Sequence, residues 1–177
     1  MAIQIGAKPD SGFDDPIGML KDCHRRIQGF LAVLCTVAER AQGRSMTMEE
    51  SDAVQNALRY FRTGGQRHTA DEEQSLFPRL RAAAADSLPE IDGLEHDHSE
   101  ATEMHASVER LFDAWLASGG LRSDEAQELS SATDRLKKLY IDHIEIEETA
   151  VFTRALEVLD SSTLAAIGRE FSARRQG

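Results

Sequence analysis

Apolar residues recur along this chain at intervals of three and four, the spacing that lines one face of an α-helix. A first run carries Leu20, Ile27, Leu31, Leu34 and Ala38; Asp14-Asp15-Pro16 offers it an acidic cap and a first-turn proline, and Gly43 a stop. Thr47 and Glu50 have the spacing of a capping box and open a second helix through Ala57, Leu58 and Phe61. Gly64-Gly65 is expected to kink that helix and Pro78 to disturb its last turn. Ser87, Pro89 and Glu90 open a third helix through Leu94, Ala101, Val108, Phe112 and Trp115, which Gly119-Gly120 ends. Ser123-Asp124-Glu125 opens a fourth, with Leu129, Leu136, Leu139, Val151 and Leu156 on its apolar stripe, and a short fifth helix is expected after Asp160. No segment alternates in the period-two manner of a strand. Four long amphipathic helices with short connections predict an all-α fold, an up-down-up-down antiparallel four-helix bundle with a short C-terminal extra helix. The expected division is a flexible arm over 1–13, the bundle over 14–157 and a helix or tail over 158–177.

Composition narrows the partners. The 177 residues suit one domain, and 41% hydrophobic content supports a core without staples. Acidic residues number 31 against 20 basic ones, for a net charge of −11. Such a chain repels phosphate backbones and lacks the basic face of a membrane-surface helix, so neither nucleic acid nor membrane is expected as a partner. Cys23 and Cys35 lie about three turns apart on one predicted helix, too far to bridge each other, and no CxxC pair is present. With no apolar leader in the first residues, the expectation is a cytoplasmic protein in a reducing compartment.

An internal repeat changes the picture. HTADEEQSLFPR (68–79) returns as HIEIEETAVFTR (143–154). His68 and His143 are 75 positions apart, and His24 and His98 are 74 apart. The chain reads as two related helical hairpins, each with one histidine on its first helix and one His-x-x-x-Glu on its second.

Residues four apart share a helix face. His68 with Glu72, and His143 with Glu147, can therefore each turn a nitrogen and a carboxylate toward one point. Glu73 and Glu148 lie about 140° round from their histidines and are weaker candidates. His98 falls with Leu94, Ala101 and Val108 and is expected inward; His96 falls with Glu100 and Glu103 and is expected outward. The four histidines His24, His68, His98 and His143 all sit on the order of 12–15 Å from a helix end, so the bundle topology places them in one layer. Four imidazoles and two carboxylates suit a borderline metal such as iron, manganese or zinc better than calcium or magnesium. Two bridging carboxylates would give each of two metals two nitrogens and two oxygens, with room for a solvent-derived bridge. Gln28 and Thr102, one turn after His24 and His98, are equally placed to hydrogen-bond the centre or to meet water. His105 shares the face of His98 two turns deeper, where a satisfied core or boundary histidine is the favoured reading.

The segments DCHRRI (22–27), RHTADEEQSLFPRL (67–80), LEHDHSEA (94–101) and YIDHIEIEETAVF (140–152) resemble the hemerythrin HHE cation-binding family. The resemblance implies two non-haem iron ions, oxo- or hydroxo-bridged, held by His24, His68, Glu72, His98, His143 and Glu147, with the two glutamates bridging. It implies a protein that binds or senses oxygen, nitric oxide or peroxide. Oxygen-carrying relatives have a fifth histidine where this chain has Thr102. A di-iron oxidoreductase or iron donor in nitrosative or oxidative stress and iron–sulfur repair is one alternative, and a metal-stabilised structural protein another. Sensing would call on a separate redox or signalling partner protein.

Overall fold

The computed structural model describes residues 10–83 and 89–176. It consists of five helices: α1 (Pro16–Ala41), α2 (48–83), α3 (Pro89–Ser118), α4 (123–158) and α5 (Ser161–Gln176). No strand occurs among the described residues. The expected opening of α3 at Ser87 lies outside them.

The local signals act as the chain chemistry requires. The Asp15 side chain accepts from Gly18 N at 2.9 Å, with Pro16 in the first turn, where its missing N–H costs nothing. Thr47 and Glu50 form both bonds of the capping box. After α1, Gln42 and Gly43 turn left-handed, with φ of 48° and 76°. A Cβ on Gly43 would also lie 2.9 Å from the carbonyl of Leu121, whose N–H donates to Gly43 O at 2.8 Å. This contact ties the α1–α2 connection to the α3–α4 connection.

Two of the long helices are not regular throughout. α2 widens into π-turns at Phe61–Gly65 and Glu72–Leu76, and α4 does so at Glu147–Val151. The expected kink at Gly64-Gly65 takes the form of the first of these. Pro78 does not break α2; it comes directly after the second widened turn and Phe77. Thr153 holds the matching place in α4 and that helix widens too, so the proline fits the turn without being its cause.

The apolar core falls into two clusters. One gathers Leu34, Val54, Val108, Phe112, Trp115, Leu129 and Leu136. The other gathers Leu20, Phe77, Leu80, Ile91, Phe152, Ile167 and Phe171. Burying each of Phe77, Phe152 and Phe171 contributes about 1.5–3 kcal/mol. The switch from one cluster to the other falls at the same depth on each long helix: between Leu20 and Ile27, Phe61 and Leu76, Leu94 and Ala101, Ile144 and Val151. Candidate metal ligands fall in each of those intervals: His24, then His68 and Glu72, then His98, then Glu147, with His143 directly before the last.

Two expectations need correcting. Leu156, assigned to the apolar stripe of α4, is 58% exposed, because the widened turn at Glu147–Val151 rotates the residues beyond it. The terminal helix is not short: α5 has 16 residues, and its Ile167 and Phe171 are fully buried in the second cluster. Gly168 makes the docking of α5 possible, since a Cβ there would fall 1.8 Å from the carbonyl oxygen of Phe13.

Candidate metal centre

Six side chains meet in the layer between the two clusters. His24, His68, His98 and His143 are at most 7% exposed, and Glu72 and Glu147 are completely buried. Each carboxylate is divided between two pairs of histidines. Glu72 Oε1 lies 3.4 Å from His68 Nε2 and 3.9 Å from His24 Nε2, while Glu72 Oε2 lies 3.4 Å from His98 Nε2. Glu147 Oε2 lies 3.0 Å from His24 Nε2, and Glu147 Oε1 lies 3.3 Å from His143 Nε2. The result is two adjoining pockets, one walled by His24 and His68, the other by His98 and His143. The ring centroids are 4.9 Å and 4.7 Å apart within the pairs.

Both π-turns that flank the layer begin on its glutamates. A widened turn carries one extra residue and interrupts the regular hydrogen-bond ladder, a feature that recurs at functional sites. Here it occurs twice, at equivalent places in the repeat.

Three imidazoles are held from behind by carboxylates. His24 Nδ1 meets Glu148 Oε1 at 2.8 Å, His98 Nδ1 meets Glu73 Oε1 at 2.9 Å, and His143 Nδ1 meets Asp97 Oδ2 at 3.2 Å. Each contact favours the tautomer with Nδ1 protonated and leaves the Nε2 lone pair facing inward, the state a metal requires. The first two run between hairpins: a histidine of one is held by a glutamate of the other. Sequence reasoning missed these roles for Glu73, Glu148 and Asp97. The doubled Glu-Glu in both repeats was the available signal.

Burial and mutual proximity shift the titration of the groups in this layer in opposite directions. Burial and the neighbouring Glu147 charge push the Glu72 carboxyl well above the usual range. Burial acts the same way on Glu147, but the imidazoles of His143 and His24 outweigh it and hold that carboxyl low. Burial also works against a charge on His24 and His143, yet Glu147 beside them raises both. Burial and the neighbouring His24 drive His68 well below its ordinary value.

The donor set fits a metal on a direct observation. His24 Nε2, His98 Nε2 and all four oxygens of Glu72 and Glu147 are buried with no partner in hydrogen-bonding geometry among the described residues. Orphaned buried polar atoms are costly and rare, and here they converge. The ligand atoms of His24, His68, Glu72 and Glu147 lie within 4.8 Å of one another, as do those of His98, His143 and Glu147.

The other sequence candidates lie elsewhere. His96 is exposed to a greater degree than the buried His98. Gln28 is exposed, at the edge of the α1 stripe, and is not brought to the cluster. Thr102 is also exposed, and its hydroxyl donates to the His98 carbonyl at 2.9 Å, the back-bond of a helical threonine. His105 packs on Phe61 and pairs with the Tyr140 hydroxyl at 3.1 Å.

A helical bundle with a buried His/Glu cluster between its long helices defines a metal-binding protein of the helical-bundle class. The chain belongs to the hemerythrin HHE cation binding domain family, whose profile matches residues 15–155. It is also similar to an uncharacterized protein of Haemophilus influenzae, 29% identical over 169 residues that cover 93% of this chain and 92% of that one. No described helix is long and apolar enough to cross a membrane.

Proposed function

We propose that this chain is a non-haem di-iron protein that binds or senses a small ligand: oxygen, nitric oxide or peroxide. His24 and His68 would hold one iron, His98 and His143 the other, with Glu72 and Glu147 shared between them. The observation that carries this reading is the division of each carboxylate, which turns one oxygen toward each pair of histidines. When bound, iron supplies ligand exchange and one-electron redox chemistry. The protein's part is to hold four imidazoles as neutral donors, to keep water from the buried layer, and to present two shared carboxylates. The carboxylates behind His24, His98 and His143 perform the first task for three of the four rings, burial performs it for His68, and the flanking apolar clusters perform the second.

In this reading the four long helices run up-down-up-down, which the short connections between α1 and α2 and between α3 and α4 support. Two free thiols, Cys23 and Cys35, suit a reducing, cytoplasmic setting. A separate redox or signalling protein would take the output.

The test is elemental analysis and an absorption spectrum of aerobically purified protein. Close to two irons per chain are expected, with a visible charge-transfer band that shifts when azide is added. A colourless zinc protein, or a single metal per chain after iron supplementation, overturns the reading.

A further inference from the structure

A cleft of about 440 Å³ opens between α2 and α3 and ends on the metal layer. Its floor is His98, which at 7% is the most exposed of the six cluster residues. Its walls come from the π-turn Phe61–Gly65, from Ala101 and His105 of α3, and from Tyr140 of α4.

Two features keep the cleft open. The widened turn displaces α2 from the regular path of a helix, and Gly65 brings no side chain to the gap. A Cβ on Gly65 would meet only the Phe61 ring, at 3.5 Å, so the space beside it is free. The matching place of the second hairpin carries larger side chains. There the residue three before the ligand histidine is Tyr140, where the first hairpin has Gly65 before His68. The residue seven after His24 is Leu31, 2% exposed, where His98 is followed by His105. α1 and α4 pack along each other, and that interface is filled by Leu31, Leu34, Leu136 and Ile144.

The cleft is nearly uncharged. Glu109 is the one carboxylate among its lining residues, and Arg62 holds it at 3.1 Å. Burial lowers His105 to about 4, so its ring is neutral at ordinary pH. A neutral imidazole has one N–H and one acceptor nitrogen, and a phenol can both donate and accept. Whichever of His105 and Tyr140 donates to the other, the pair keeps one further N–H or O–H donor.

Building on the di-iron reading, we infer that this cleft is the entry and holding site for a small uncharged ligand, which it admits to the His98/His143 pocket and not to the His24/His68 pocket. The Tyr140–His105 pair supplies the hydrogen bond that retains the ligand.

The test follows nitric oxide binding to the reduced, iron-loaded protein by stopped-flow absorption. Gly65→Leu narrows the cleft from α2, and Ala106→Leu, at an exposed position, narrows it from α3. Both variants should keep wild-type iron content and associate with nitric oxide about tenfold more slowly or worse. Removing the free donor, by Tyr140→Phe or by His105→Phe, should leave association unchanged and in at least one of the two speed release by about tenfold, as expected for one lost hydrogen bond. Wild-type association rates in both narrowed variants, with iron retained, overturn the entry route. Unchanged release rates in both Tyr140→Phe and His105→Phe overturn the role of the pair. If the wild-type protein with two irons does not bind nitric oxide at all, the small-ligand function itself fails, and the narrowed variants are then not needed to show it.

Discussion

The two hairpins, 16–83 and 89–158, carry the same candidate ligands at the same depth but support them differently. In the second hairpin, Asp97 precedes His98 and holds His143 Nδ1. In the first, Cys23 takes that place before His24, and His68 Nδ1 has no partner among the described residues. The first hairpin is instead braced from outside. α5 sends Arg174 and Arg175 to the fully buried Asp71, each at 2.7 Å, and Glu170 to Arg79 at 2.6 Å. Ser75 joins both sets, contacting Arg174 and Glu170. These residues bracket the π-turn that begins on Glu72. The matching places in α4 are Ile146, Ala150 and Arg154; Ile146 is 39% exposed and Ala150 is also exposed. A repeat can thus preserve the donor atoms while exchanging an internal hydrogen bond on one side for an ionic clamp on the other.

The largest effect should erase the comparison altogether. Glu72→Ala or Glu147→Ala removes a carboxylate shared by both pockets, so if the proposed two-metal centre holds, each should cost both metals, whichever hairpin bears the change. Elemental analysis decides this, and a variant that keeps one full equivalent would show that its carboxylate is not shared. His96→Ala, next to the site in sequence but outside the buried layer, should leave the metal content at its wild-type value.

The clamp should come next. Arg174→Gln with Arg175→Gln leaves Asp71 buried and unpaired, a loss of about 3–5 kcal/mol. Arg154→Gln in the other half breaks only the partly exposed pair with Glu157, worth about 0–1 kcal/mol. Urea unfolding of the two variants should show that gap. Equal, small losses would mean that α5 docks through Ile167 and Phe171 alone.

A smaller effect separates the supports behind the rings. Asp97→Ala should weaken metal held by the His98/His143 pair by about 10–100-fold. Cys23→Ala, at the matching place, should leave affinity nearly unchanged. Competition with a chelator measures both, and matching losses would make Asp97 no more than a surface charge.

The mildest prediction concerns the metal-free form and pH. Glu72, His24 and His143 have raised values in the fold, so the stability they give is present in acid and lost as pH rises through those values. His68 and His105 are lowered, so their contribution falls away as pH drops below the ordinary 6.5. Glu147, held low, adds a further loss below its ordinary 4.5. The metal-free melting temperature should therefore peak near pH 6.5 and decline toward pH 9, while the metal-loaded protein varies less over that range. A metal-free melting temperature that climbs steadily from pH 7 to 9 would contradict these assignments.

The helices and the inward histidines were legible because they depend on spacing alone. Leu20, His24, Ile27 and Leu31 declare one face whatever surrounds it, and the burial of His98 two residues beyond a more accessible His96 comes from the same angle count. Other features depend on partners distant in the chain. Glu73 points away from its own His68, and only the approach of α3 reveals that it serves His98. Asp71 reads as one more surface acid until α5 folds back with two arginines. The π-turns leave no mark on the His-x-x-x-Glu spacing that precedes them, so a regular helix continued from His143 misplaces Leu156. Gln28 and Thr102 were legible as positions but not as orientations, because a threonine hydroxyl can satisfy itself on the preceding turn.

The depth of the histidine layer also bears on how the chain folds. It parts the apolar interior into two bodies, each spanning all four long helices, with α5 belonging to only one. Contacts across such a polar partition add little apolar cohesion, so the metal-free chain can open as two separate cooperative units. If the candidate ligands on all four helices hold a metal, they join the units into one, and loading the centre should make the unfolding of the two ends a single event.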